Sequence, residues 1–248
     1  MKVIYSTLFL ISSFYNSSVM AVEGLEGVKI HIVYAESWDP ISYGKRAPAK
    51  GLLPEKMDHI LSKQLGMVVT HTPVPWGRAQ KMVETGAADA FVTAATPTRL
   101  EYAIASRSNV FVVPFVAIVK KQSHAFYNLT DPDDLSLFEG RTFCDVLGNG
   151  WSDYFYKDKP VNLHIVPSIK QCLKLLNVGR VDAIIHAAPV LNKYMNELSL
   201  SQSLHIKNKA SQKSPHFPIL ISKKSHLGQD FLDQFDQYLE NNASKSAN

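Results

Sequence analysis

The chain has 248 residues, a formal charge of +4 and two cysteines, with 46% of its residues hydrophobic and 19% charged. So small a charge, carried by short basic pairs such as Lys120-Lys121 and Lys223-Lys224, reads as solvated surface and excludes a phosphate track for nucleic acid. Beyond the N-terminal stretch no segment approaches the ~20 apolar residues that a membrane helix needs, and the length suits two units of roughly 100 residues each.

Lys2 opens the chain, Val3 to Ile11 is mostly apolar, and small or polar residues lead to Val19-Met20-Ala21. This three-part pattern predicts an export signal over 1–21, cut after Ala21, and Ser12, Ser13, Asn16, Ser17 and Ser18 argue against a retained anchor. The alternative is an ordinary buried N-terminal segment. The signal removes only Lys2 among charged residues, so the charge falls from +4 to about +3. In an oxidising compartment Cys144 and Cys172 form a disulfide more readily than they stay two buried free thiols, which is the other reading. Neither has a Cys or His at ligand spacing, so no metal and no cofactor are expected.

Val28 to Tyr34 largely alternates apolar and polar residues, as a strand does. A loop rich in Pro and Gly follows from Glu36 to Gly51. Pro54 opens a helix with Met57, Ile60, Leu61 and Leu65 on one face and Gly66 at its end. Met67 to Val74, rich in β-branched residues, is a second strand. Gly77 to Thr85 reads as a helix with Ala79, Met82 and Val83 inward and Gly86 as its stop, and Ala88 to Thr93 is a third strand. This β-α-β-α-β run predicts an open sheet covered by helices, an α/β fold.

The second half repeats the plan. Arg141 to Leu147 and Leu163 to Val166 read as strands. Ser168 caps a helix whose Ile169, Cys172, Leu173 and Leu176 share a face; Gly179 stops it, and Val181 to His186 is the next strand. Both halves pass from helix to strand through Gly-x-x-Asp-Ala: Gly86-Ala87-Ala88-Asp89-Ala90 and Gly179-Arg180-Val181-Asp182-Ala183. Asp89 and Asp182 read as structural, fixing the turn into the strand. Val110 to Lys120 and Phe217 to Ser222 are the candidate crossing segments between two lobes. The last helix carries Phe231, Leu232, Phe235 and Leu239 on one face and needs the first lobe as its host. One lobe is thus expected to take 22–113 and 223–248, and the other 114–222.

Trp38-Asp39-Pro40, Pro75-Trp76-Gly77-Arg78-Ala79, Thr96-Pro97-Thr98-Arg99 and the second Gly-x-x-Asp-Ala follow one another in an order that resembles the family 3 bacterial extracellular solute-binding proteins, typified by the receptors of amino-acid ABC transporters. The resemblance covers roughly Lys29 to Leu239. It implies a type II periplasmic binding protein fold: two α/β lobes closing on a ligand at their shared cleft, in the periplasm, with an ABC permease or a membrane sensor as partner and a monomer as the working unit.

Position by position, the resemblance puts a carboxylate-gripping Arg at Arg99. A guanidinium fork pairs with a planar carboxylate through two parallel hydrogen bonds, whereas the bland alternative is a surface Arg bridging to Glu101. Trp38 and Trp76 stand at the two aromatic positions that flank the ligand, unless both are core. Arg78 is a second cation for the cleft or a solvated helix residue, and Thr93 offers a hydroxyl or simply ends its strand. Asn149 and Gly150, in Gly148-Asn149-Gly150-Trp151-Ser152, stand where the family offers backbone N–H groups to the ligand, or form an ordinary turn. The acid that holds the ammonium in amino-acid binders is absent, its place falling at about Ala187. His186 is the only neighbouring stand-in, as a partner or as a satisfied structural residue.

The expected function is binding of a small polar, carboxylate-bearing solute, for uptake or for sensing. The rival is an enzyme on the same scaffold, such as cyclohexadienyl dehydratase, for which Glu36, Glu101 and His186 are the only acid–base candidates. No nucleophile elbow, zinc-protease motif or phosphate loop is present, and the chain is expected not to be an enzyme.

Overall fold

The computed structural model describes residues 24–246, with side chains through residue 242; the expected export signal lies outside the described residues. In chain order the elements are β1 (Lys29–Ala35), the short pair β2 (Ser37–Trp38) and β3 (Ser42–Tyr43), α1 (Leu52–Met57) running on as a π-helix over Asp58–Gln64, β4 (Val68–Val74), α2 (Trp76–Thr85), β5 (Ala90–Val92), α3 (Pro97–Tyr102) and β6 (Ala103–Val112). Then come β7 (Phe115–Lys120), α4 (His124–Asn128), β8 (Thr142–Val146), α5 (Gly150–Phe155), β9 (Asn162–Val166) and α6 (Ile169–Asn177). The chain finishes with β10 (Ala183–Ala187), α7 (Ala188–Glu197), β11 (Leu204–Ala210), β12 (His216–Ser222) and α8 (Gly228–Ser246). No described helix is long and apolar enough to cross a membrane.

Two five-stranded sheets result, ordered β4-β1-β5-β12-β6 and β11-β7-β10-β8-β9. In the first, β1 runs parallel to β4 and β5, and β12 is antiparallel to β5 and β6. The second mirrors it: β8 runs parallel to β9 and β10, and β7 is antiparallel to β10 and β11. Strands such as β10 are buried along their whole length, as expected for a sheet with helices on both faces.

The five-residue echo has a shared physical role. The Asp89 carboxylate accepts from His31 N at 2.8 Å while Asp89 N donates to His31 O at 2.9 Å. Asp182 does the same with Thr142, at 2.9 and 2.7 Å. Each Asp thus pins the start of one strand to its parallel neighbour, β1 for β5 and β8 for β10. A charge-assisted bond of this kind contributes about 1.5–3 kcal/mol.

The boundary expected at residue 222 needs correction. Phe217 to Ser222 does not cross between lobes; it forms most of β12, which sits between β5 and β6 in the first sheet. The crossings fall instead at Val113-Pro114, between β6 and β7, and in the stretch between β11 and His216. The reason is burial: Phe217 to Ser222 is buried throughout, which suits an inner strand and not an exposed connector. α8 covers β6, where buried Asp236 accepts from Arg107 N at 2.9 Å and Ser108 N at 2.8 Å.

Cys144 of β8 and Cys172 of α6 form a disulfide. Closing a loop with a separation of 28 residues stabilises the second lobe by about 3.5 kcal/mol in the chain-entropy estimate.

Candidate functional site

Facing ends of the two sheets enclose a cavity of about 120 Å³. Its wall is largely apolar, with Tyr34, Trp38, Trp76, Phe115, Trp151 and Phe217 supplying rings from both lobes. Trp38 meets Phe217 edge-on at 5.5 Å between ring centroids, and Phe115 meets Trp151 edge-on at 4.7 Å. Phe115 and Phe217 each follow a crossing directly, so ligand-facing rings and hinge share the same short stretches of chain.

Arg99 lines the same cavity and is 3% exposed. It stands on the first turn of α3, where Pro97 at the helix start costs no hydrogen bond. The Thr96-Pro97-Thr98-Arg99 segment is therefore a helix start, and Arg99 points inward. Its partners are neutral: Thr93 Oγ1 at 3.1 Å, Ala94 O at 3.0 Å, Gln80 Oε1 at 3.3 Å from two of its nitrogens, and Gly148 O at 3.3 Å. The guanidinium also lies 5.2 Å from the Trp76 ring centroid, a cation–π contact. Burial pulls the Arg99 pKa down from its ordinary value, offset in part by Tyr102 and Asp153. No Asp or Glu is among the described residues that line the cavity. A buried cation held only by neutral acceptors is costly, and its charge favours an anion in the cavity.

Gly148 joins the two lobes. Its carbonyl, on the turn after β8, accepts from Trp76 Nε1 at 2.8 Å and from Arg99 at 3.3 Å. Gly148 has φ +80°, and a Cβ there would lie 3.1 Å from Trp76 Cδ1, so only glycine lets the turn come this close. Elsewhere the lobes meet where Tyr194 of α7 donates to Ser37 O at 3.2 Å and Lys193 stands 3.7 Å from Asp39. The lobes are therefore shut on each other.

Asp145, fully buried at the end of β8, holds the turn in shape. It accepts from Asn149 Nδ2 at 3.0 Å and Val146 N at 2.6 Å, and burial pushes its pKa up to about 6. Across the cavity His186 stacks on Phe115 at 5.4 Å. Burial pushes His186 down to about 4, so it is neutral at pH 7, and its Nδ1 has no hydrogen-bond partner among the described residues.

The structure places Arg99, Trp38, Trp76, Thr93, Asn149 and His186 on one cavity wall. Two others stand off that lining. Arg78 is exposed and does not line the cavity, because two residues along a helix turn a side chain about 200° away from Trp76. Gly150 does not line this cavity but packs against the Arg99 guanidinium, since an added Cβ would sit 3.2 Å from Thr96 Cγ2 and 3.4 Å from Arg99 Nη2. Sequence reasoning missed Gln80, which stands four residues after Trp76 and so shares its helix face. It also missed Tyr34, Phe115, Trp151 and Phe217. For Phe115 and Phe217 the signal was position, Phe115 directly after Pro114 and Phe217 two residues after Pro215, each at a lobe crossing. Glu36 and Glu101 stand off the cavity.

No protein-family model matches the chain, and no curated protein matches it by sequence. Solved structures match its fold. The structure reported for glutathione import via GshT and the cystine ABC importer TcyBC of Streptococcus mutans superposes with a TM-score of 0.70 at 15% identity, covering 89% of this chain and 91% of that one. An ancestral arginine-binding protein bound to arginine gives 0.68 at 18% identity, over 88% and 93% of the two chains. The substrate-binding protein of an amino acid ABC transporter gives 0.65 at 17%, over 88% and 94%. At these identities the likeness is one of fold, and that fold is the two-lobed α/β arrangement of the type II periplasmic binding proteins, in agreement with the family 3 resemblance in the sequence.

Proposed function

We propose that the chain is an exported solute-binding protein whose lobes close on a small carboxylate-bearing ligand, without chemical turnover, for presentation to an ABC-type importer. The observation that carries this reading is the buried, cavity-lining Arg99 whose partners are all neutral. Three of its five bonds are long, at 3.3 Å, and a carboxylate that replaces Gln80 Oε1 on Nε and Nη2, with the Gly148 bond kept, makes a shorter, charge-assisted pair. Such an exchange ties the ligand to the same turn that shuts the lobes. The solved neighbours support this reading, since they include an arginine-binding protein and the substrate-binding protein of an amino acid ABC transporter. Catalysis is disfavoured because His186, the one acid–base candidate on the wall, has no charged partner there. The alternative destination, a membrane sensor, uses the same closed form.

The test is a thermal-shift and calorimetric screen of small carboxylates against the purified protein, repeated with Arg99→Ala and Arg99→Lys. A ligand at a hundredfold excess over its Kd raises stability by about 2.7 kcal/mol. Loss of binding in Arg99→Ala, with partial retention in Arg99→Lys and a normal circular dichroism spectrum in both, is the expected result. Unchanged affinity in folded Arg99→Ala rejects the carboxylate grip.

A further inference from the structure

We propose that the cavity selects a monocarboxylate with a flat or branched apolar body and no ammonium group, and discriminates against the α-amino acid of the same skeleton. The proposal rests on the reading that the ligand carboxylate meets Arg99, and it names the ligand class for that site. The first reason is charge. An α-amino acid carries an ammonium next to its carboxylate, and a buried ammonium needs an anion or several acceptors. No Asp or Glu lines the cavity among the described residues, and the one charged side chain on its wall, Arg99, has the same sign as the ammonium. The buried carboxylate nearest in sequence to the wall, Asp145, is turned to Asn149 and Val146 N in its own lobe.

The second reason is the wall itself. Trp38, Phe115, Trp151, Phe217 and Tyr34 present ring surface on both sides of the cleft, which suits a delocalised or branched hydrocarbon body.

The third reason is size. A cavity of about 120 Å³ compares with the engineered ~150 Å³ apolar cavity that holds benzene. A ligand on the scale of benzoate or a branched five- or six-carbon acid fills this space.

Matched pairs test the idea. The purified protein, unfolded and refolded to strip carried solute, is titrated calorimetrically with 4-methylpentanoate against leucine, 3-phenylpropanoate against phenylalanine, and benzoate against benzamide. At least one acid is expected to bind at least a hundredfold more tightly than its amino acid, and benzoate at least tenfold more tightly than benzamide. If leucine or phenylalanine binds as well as its deaminated partner, the ligand class is wrong while solute binding stands. Should benzamide equal benzoate, the carboxylate grip at Arg99 fails with it. Silence from every probe overturns the proposed class.

Discussion

Replacing Gly148 with alanine perturbs closure rather than the fold of either lobe. The backbone there is left-handed at φ +80°, a conformation that costs an L side chain about 1 kcal/mol. Gly140, in the same lobe at φ +70°, carries that penalty too, but a Cβ on it meets nothing within 4 Å. At Gly148 the new Cβ would stand 3.1 Å from Trp76 Cδ1 and 3.2 Å from Gln80 Nε2, both in the opposite lobe. Relief requires the carbonyl to withdraw from Trp76 and Arg99. Each bond contributes about 1 kcal/mol, so the closed form loses about 2 kcal/mol relative to the open one. At 1.4 kcal/mol per factor of ten, affinity for a ligand that needs closure falls about 30-fold. Small-angle scattering of Gly148→Ala should show a larger radius of gyration than the unmodified protein. Titration with 3-phenylpropanoate should show the weaker binding. Gly140→Ala should melt about 2–4 °C lower yet bind and scatter like the unmodified protein. Equal effects at the two glycines, or none at Gly148, refute the claim that this turn governs closure.

Reducing the Cys144–Cys172 disulfide should lower stability by about 3.5 kcal/mol, read as a shift of the urea midpoint with reductant; identical midpoints contradict the estimate. Burial gives Asp145 and His186 opposite pH signatures. Asp145, raised from 3.8 to about 6, contributes stability that is full below pH 4 and lost as pH rises through 6. His186, lowered from 6.5 to about 4, contributes stability that is full above 6.5 and lost as pH falls through 4. Asp145→Asn should therefore gain on the unmodified protein by about 3 kcal/mol between pH 4 and 7. His186→Gln should lose ground over the same range by a similar amount. Urea unfolding at stepped pH measures both, and parallel curves for either variant remove that residue as the source.

Much of the scaffold was legible because it is local. Helix faces repeat every three or four residues, glycines follow α2 and α6, and Ser168 caps α6 by accepting from Gln171 N. The paired cysteines likewise gave the disulfide that the structure contains. What escaped was non-local. Phe217 to Ser222 has a strand's composition, yet nothing nearby in sequence says which sheet takes it; that depends on β5 and β6, far upstream. The short α5 was read as a turn, since two glycines and an asparagine favour one. The group at the centre of the interlobe contact is the backbone oxygen of Gly148, and a carbonyl leaves no residue-type signature. Arg78 drew attention as a cation, whereas helix geometry favours the uncharged Gln80.

The placement of β12 has a consequence for how the molecule is made. The second lobe is one uninterrupted run of chain, whereas the first is split around it, and its sheet has β12 wedged between β5 and β6. Until that late strand and α8 are synthesised, β6 has no neighbour to pair with and Asp236 cannot reach Arg107 and Ser108. The early half of the polypeptide must wait, incomplete, for its own tail before the first sheet can close.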